Sequence, residues 1–330
     1  MSIALEPQAN IQNDAPGMSF SSERNLDSTE QQTMWSQVTE SVIKIDDISL
    51  AYSFIEHPKS QKAIVISSGR IESYIKYREL IFDLYRQGYS IYALDHRGQG
   101  LSSRTTNNPQ QGHIDRFETY IDDFTHFIDV VVKKKNYKDL FLVGHSMGGT
   151  IGTLYMEKHP DTFRAAAFSA PMYGIKLPIS RRFIRWLAQL LDTTDSDKGP
   201  NYVLGGGDYE AVEFAKNDLT NCQLRYDNYK KLYLQHPQVQ VGSPTNRWLH
   251  ESIDAAERAI SAARNSQMPI LILQADEDTV VDNFAQYHAV GGLCQLINIP
   301  HARHEVFMEQ DESRNMALTE LVNFLQAHAS

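Results

Sequence analysis

The chain has 330 residues, 42% of them hydrophobic, and a formal net charge of −10. That length buries a large core, as one α/β domain or a domain with an insert. The acidity excludes nucleic acid as an expected partner and general adhesion to anionic lipid as a binding mode. Cys222 and Cys294, the two cysteines, match no metal or redox spacing, so neither a metal site nor a disulfide framework is expected. No basic region followed by an apolar one reads as a signal peptide, and no run of roughly 18 apolar residues offers a membrane span. A cytoplasmic protein is the expectation.

Residues 1–34 are rich in Ser, Gln, Asn and acids (Glu6, Asp14, Glu23, Asp27 and Glu30 against Arg24 alone) and read as a flexible acidic tail. Apolar residues then alternate through Val42–Ile45 and Ile48–Ile55 around Asp46-Asp47, a hairpin signal. Lys62–Ile66 is a short buried strand, residues 73–87 are helical up to Gly88, and Ser90–Leu94 is the next strand. It closes in Asp95-His-Arg-Gly-Gln-Gly100, whose glycines turn the chain. A helix over 117–134 precedes the strand Leu140–Val143, and Arg164–Ser169 is a further strand. Strands separated by helices of this size imply a mostly parallel sheet covered on both faces. The rhythm breaks over 172–267, read as an inserted helical lid, and resumes with strands at Pro269–Ala275 and Cys294–Ile299 and a last helix at 313–328. The organisation expected is a core over 35–171, a lid, and the rest of the core over 268–330.

Chemistry concentrates after Val143. Strand, then Gly144-His-Ser146-Met-Gly148, then a helix running to Lys158 is the pattern of a nucleophile elbow, a sharp turn that lifts one serine Oγ above the sheet. The glycines keep side chains out of the strand–helix crossing, and the Met147 N–H points from a helix start at the place where an oxyanion would form. A serine hydroxyl needs a general base, and the base needs an orienting carboxylate. Asp276, Glu277 and Asp278 follow one strand and His301 and His304 follow the next. All these loops leave the carboxyl ends of strands, where such sheets bind ligands. Asp282 reads better as a helix cap. His304 is favoured over His301 because the base needs loop length to reach over the serine.

Gly144–Gly149, Asp95–Gly100, Gly69-Arg-Ile-Glu-Ser-Tyr74, Ala170-Pro-Met-Tyr-Gly174, Val280–Asn283 and Arg247-Trp-Leu-His-Glu-Ser252 together resemble the bacterial lysophospholipases of the α/β-hydrolase superfamily, a branch related to monoacylglycerol lipases. The resemblance implies an α/β-hydrolase fold with a helical lid and hydrolysis of the acyl ester of a lysophospholipid. It implies a substrate with a single acyl chain and needs no cofactor or metal. Residue by residue, it implies Ser146 as nucleophile, Asp278 as acid and His304 as base, with backbone N–H groups of Met147 and Arg70 as the oxyanion hole. Monoacylglycerol or a simple carboxylic ester is the alternative substrate, and a non-catalytic hydrolase-like binding protein the alternative of another class. In the lid, Ile179, Phe183, Leu187 and Leu190 share one helical face, with Arg181, Arg182 and Arg185 opposite or beside it. One reading packs that apolar face on the core. The other makes the helix interfacial, with peripheral contact at the inner face of the plasma membrane and the three arginines meeting phosphate head groups.

Overall fold

The structure, a computed structural model, describes residues 18–330. Its centre is an eight-stranded sheet in the order β1-β2-β4-β3-β5-β6-β7-β8. The strands are β1 (Thr39–Ile45), β2 (Ile48–Ile55), β3 (Lys62–Ser67), β4 (Ser90–Leu94), β5 (Asp139–His145), β6 (Ala165–Ser169), β7 (Ile270–Ala275) and β8 (Cys294–Ile299). β1 and β2 form the expected hairpin, Ile45 pairing with Ile48 across Asp46-Asp47, and β2 runs antiparallel to β4. From β4 to β8 every pairing is parallel. The strand sequences explain this. β4, β6 and β7 are buried along their whole length and carry unbroken small or apolar runs, as a sheet covered on both faces requires. β1, at the edge, is mostly exposed and carries Glu40 and Lys44, which discourage further strand pairing.

The helices are α1 (Thr29–Trp35), α2 (Arg78–Arg86), α3 (Glu118–Val130), α4 (Met147–Lys158), α5 (Arg181–Leu191), α6 (Gln223–Gln235), α7 (Asn246–Arg264), α8 (Asn283–Ala289) and α9 (Asp311–Ala327). α3, α4, α7 and α8 pack side by side over one face of the sheet, while α2 and α9 lie together on the other. The α/β-hydrolase fold is therefore as expected. Two boundaries differ. α7 falls within the range read as lid, yet it presents Ala255, Ala256, Ala259, Ala262 and Ala263 to α4 and α8 and belongs to the core layer. Small side chains at that spacing let two helices approach closely.

The second difference lies at the N-terminus. Residues 1–17 of the expected tail lie outside the described residues, but from Met18 onward the segment docks. Met18 and Phe20 pack against the core. Ser21 donates to Asp83 and Glu79 on α2, at 2.8 Å each. Ser22 Oγ donates to Asp311 at 2.6 Å, and Ser28 opens α1 with a capping box completed by Gln31. A polar composition can still order when its hydrogen-bond partners are fixed in the body, so the flexible-tail expectation fails for this stretch.

Candidate active site

Ser146 sits between β5 and α4 with φ 50° and ψ −118°, a region costly to any residue with a Cβ. The neighbours show what holds it there. Its N–H donates to the Ser169 carbonyl at 3.1 Å, and its own carbonyl accepts from Met172 at 3.0 Å. A Cβ on Gly148 would lie 2.0 Å from the Ser67 carbonyl oxygen, so only glycine lets α4 start this close to the end of β3.

The loops after β7 and β8 bring two further groups to the serine. His304 Nε2 lies 2.9 Å from Ser146 Oγ, and His304 Nδ1 lies 2.8 Å from Asp278 Oδ2. The other carboxylate oxygen of Asp278 accepts the Val280 and Val281 N–H groups at 2.7 and 3.0 Å. Burial pushes the Asp278 carboxyl up, but the His304 contact and these two donors outweigh it and hold the group below the usual carboxylate range. The competing residues point elsewhere. Asp276 accepts from Asn298, Glu277 pairs with His301, and Asp282 caps α8 through the Phe284 N–H. His301 is 82% exposed at its side chain.

The loop expected to supply an oxyanion donor, residues 68–74, runs beside the elbow. Gly69 N–H donates to Glu72 Oε2 at 2.6 Å and Ile71 N–H to Gln99 Oε1 at 2.8 Å; the Arg70 N–H between them has no acceptor among the described residues. Ile71 has φ 61°, rare for a β-branched residue and a sign that the loop is held by its surroundings. Asp95 does much of the holding. It accepts Ser73 Oγ and Tyr74 N–H, at 2.6 Å each, and Leu101 N–H at 2.8 Å. A Cβ on Gly100 would meet that carboxylate at 2.0 Å. The Asp95–Gly100 motif therefore buttresses the 68–74 loop, a role its sequence did not disclose beyond turning the chain. The Arg70 guanidinium is already used: it donates to the Gly242 carbonyl at 2.8 Å and stacks over Trp248.

Above the serine opens a cavity of about 800 Å³. Ser146, His304 and Arg70 line it, with Met172, Ile175 and Val241 among its apolar wall. α6 contributes Tyr226, Tyr229 and Tyr233, and Lys216 and Lys230 also line it. An open-mouthed space walled by these apolar and aromatic side chains, with charged groups such as Glu210, Lys216 and Asp218 also on its lining, can take both a hydrocarbon chain and a polar head.

A family described as serine aminopeptidase, S33, matches residues 58–311. Lysophospholipase L2 of Escherichia coli (strain K12) is 36% identical over 300 residues, covering 87% of this chain and 86% of its own. The chain belongs to this serine hydrolase family. A second relative, probable lysophospholipase L2 of Haemophilus influenzae, is 35% identical over 289 residues, covering 86% of the hydrolase and 90% of itself. The fold recurs in a soluble variant of monoglyceride lipase from Saccharomyces cerevisiae, solved with a substrate analog. It has TM-score 0.70 and 18% identity, and covers 88% of this hydrolase and 95% of that chain.

The lid arginines do not reach the hydrolase's cavity. Arg181 pairs with Glu257 at 2.6 Å and Arg185 with Asp254, both acids on α7, while Arg182 is exposed. None of the three lines the cavity. Arg181 and Arg185 are thus engaged by acids on a neighbouring helix, invisible to a reading of α5 alone, and the three arginines do not form the head-group end of this cavity.

Proposed function

We propose that this enzyme is a lysophospholipase: a serine esterase that releases the fatty acid from single-chain phospholipids through an acyl-enzyme. The observation that carries the reading is the hydrogen-bonded chain Ser146–His304–Asp278 at the floor of a lipid-sized cavity. His304 Nε2 takes the Ser146 proton as Oγ attacks the acyl carbonyl, and Asp278 holds the ring and favours the imidazolium that forms. The Met147 and Arg70 N–H groups receive the developing oxyanion. His304 then protonates the departing glycerophospho head group, and a water activated by the same nitrogen frees the fatty acid. The substrate choice is supported by the two lysophospholipase L2 relatives and by Lys216 on the cavity wall, a cation that suits a phosphate.

A substrate panel tests it. Lysophosphatidylethanolamine and lysophosphatidylcholine should exceed a monoacylglycerol in kcat/KM by at least roughly tenfold. A monoacylglycerol in the lead would make the protein a glyceride lipase. An aminoacyl p-nitroanilide in the lead would favour the peptidase of the family description. No labelling by a fluorophosphonate would leave only a binding protein.

The same reading includes contact with a lipid surface through α5. Arg181 and Arg185 turn toward α7, and its apolar side faces outward: Phe183, Trp186 and Leu190 are 47%, 53% and 64% exposed, and Ile179 just before the helix 54%. Ala188 is the helix's one buried residue. An aromatic and aliphatic face of this kind beside a basic one suits the headgroup boundary of a bilayer holding the substrate. Replacing Phe183 and Trp186 together by Ser should cut turnover of vesicle-borne lysophospholipid several-fold. Hydrolysis of p-nitrophenyl butyrate should stay near wild type. Equal losses on both would mark α5 as structural.

A further inference from the structure

One buried cluster is unused by the mechanism above. Lys76 Nζ donates to Glu72 Oε1 at 3.1 Å and to Glu305 Oε1 at 2.5 Å, and its ammonium lies 4.4 Å from the centre of the Tyr229 ring. All three charged side chains are almost wholly buried, at 3%, 4% and 6% exposure. Burying two carboxylates and one ammonium is expensive unless their geometry serves something. The partners show what it serves. The second oxygen of Glu72 accepts the Gly69 N–H, which opens the oxyanion loop, and Tyr77 Oη–H. Glu305 follows His304 directly, and its N–H donates to the Leu219 carbonyl at 2.8 Å. One ammonium therefore joins the loop carrying the Arg70 N–H to the loop carrying the histidine.

We infer that Lys76 is a positioning residue that locks the oxyanion loop and the histidine loop in register through the Glu72–Lys76–Glu305 bridge. The inference rests on the esterase reading of the site. The oxyanion donors and the base must be fixed relative to each other as well as to Ser146, because both act on one tetrahedral centre. Ser146 and its following N–H are rigid with the elbow. The other two groups come from separate loops, and Lys76 and Glu305, 229 positions apart in the chain, tie those loops together through side chains. His145, whose ring centre lies 4.7 Å from that of His304, fills the space between. Burial keeps it neutral, with its pKa lowered to about 4, so it adds packing and no charge.

The test uses three variants and p-nitrophenyl butyrate, with active sites titrated by a fluorophosphonate. Lys76→Met should lower kcat per titrated site about thirtyfold with KM nearly unchanged, a loss of alignment and not of binding. It should also lower Tm, because two carboxylates are left facing each other. Glu305→Gln keeps an acceptor for the ammonium and should lose about threefold or less. The double variant Lys76→Met/Glu305→Gln returns the cluster to its wild-type net charge, with Glu72 still held by the Gly69 N–H and Tyr77 hydroxyl, and should recover much of the Tm, yet kcat should stay low. Recovery of kcat in the double variant would show that only charge balance matters and overturn the inference. So would a raised KM with normal kcat in Lys76→Met, which would make Lys76 a substrate contact. Because the assay uses a simple ester, failure to hydrolyse lysophospholipid would sink the substrate reading and leave this result standing.

Discussion

Ser146→Ala and His304→Ala are each expected to lose esterase turnover by on the order of 10³-fold or more, with Tm unchanged. The two groups act as a unit: without His304 Nε2 at 2.9 Å the serine stays a neutral hydroxyl, and without Oγ the histidine has no proton to move. Asp278→Asn should lose less, because the amide keeps a contact with the ring but favours the wrong tautomer and no longer stabilises the imidazolium. His301→Ala should stay within about twofold of wild type, since its exposed ring pairs only with Glu277. A dead His301→Ala beside an active His304→Ala would reverse the assignment of the base.

The largest expected loss of stability is at Arg225. Its side chain is fully buried and bonded to Glu79 through two nitrogens at 2.8 Å each, to Asp311 at 2.7 Å, to Glu23 at 3.3 Å and to the Glu309 carbonyl. Burial alone would lower the guanidinium pKa, but Glu79 and Asp311 outweigh that and hold it above its ordinary value. Arg225→Met strands these carboxylates, and breaking a buried network from one side costs about 3–5 kcal/mol. For a chain of this size the shift in Tm should be about 5 °C or more. Deleting residues 1–27 removes the contacts of the N-terminal strap, the docked segment from Met18 onward, and should give a smaller drop of a few degrees. An unchanged melting curve for the truncated chain would mean that the strap rests on the body without stabilising it. Activity on a soluble ester should fall in Arg225→Met, because the same helix presents Tyr226, Tyr229 and Tyr233 to the cavity.

What could be read from the amino acids, and what could not, divides by range of interaction. The sheet was legible because β3 to β7 are short buried runs and β8 a short apolar-rich one, punctuated by glycine, proline and polar turns, all local signals. The elbow was legible for the same reason, being one contiguous stretch whose glycines have a steric cause. Asp278 needed more, since Asp276 and Glu277 compete with it in sequence, and the resemblance singled it out; His304 was favoured over His301 by loop length and by the resemblance. The loop geometry brings that pair to Ser146. Contacts between distant charged residues left no local trace. Glu23 and Ser21 look like solvated residues until Arg225, Glu79 and Asp83 are placed beside them. Arg181 and Arg185 look free until Asp254 and Glu257 appear on α7. The alanine stripe of α7 was a local signal, but a break in the strand rhythm masked it.

The Arg225 cluster also bears on when the enzyme can become active during its synthesis. It gathers residues 23, 79, 225 and 311, and Glu23 meets Asp311 across 288 positions. Chains emerge from the ribosome N-terminus first, and contacts between remote segments form late because they must close the longest loops. The strap and α2 can meet early, and the elbow can form once β6 is out. Arg225 cannot reach its full set of partners until the start of α9 has left the tunnel, and His304 and Glu305 emerge only shortly before. The tyrosine wall and the base are thus completed together, at the end of translation. A nascent chain still tethered at its C-terminus would hold a formed serine turn without a working esterase.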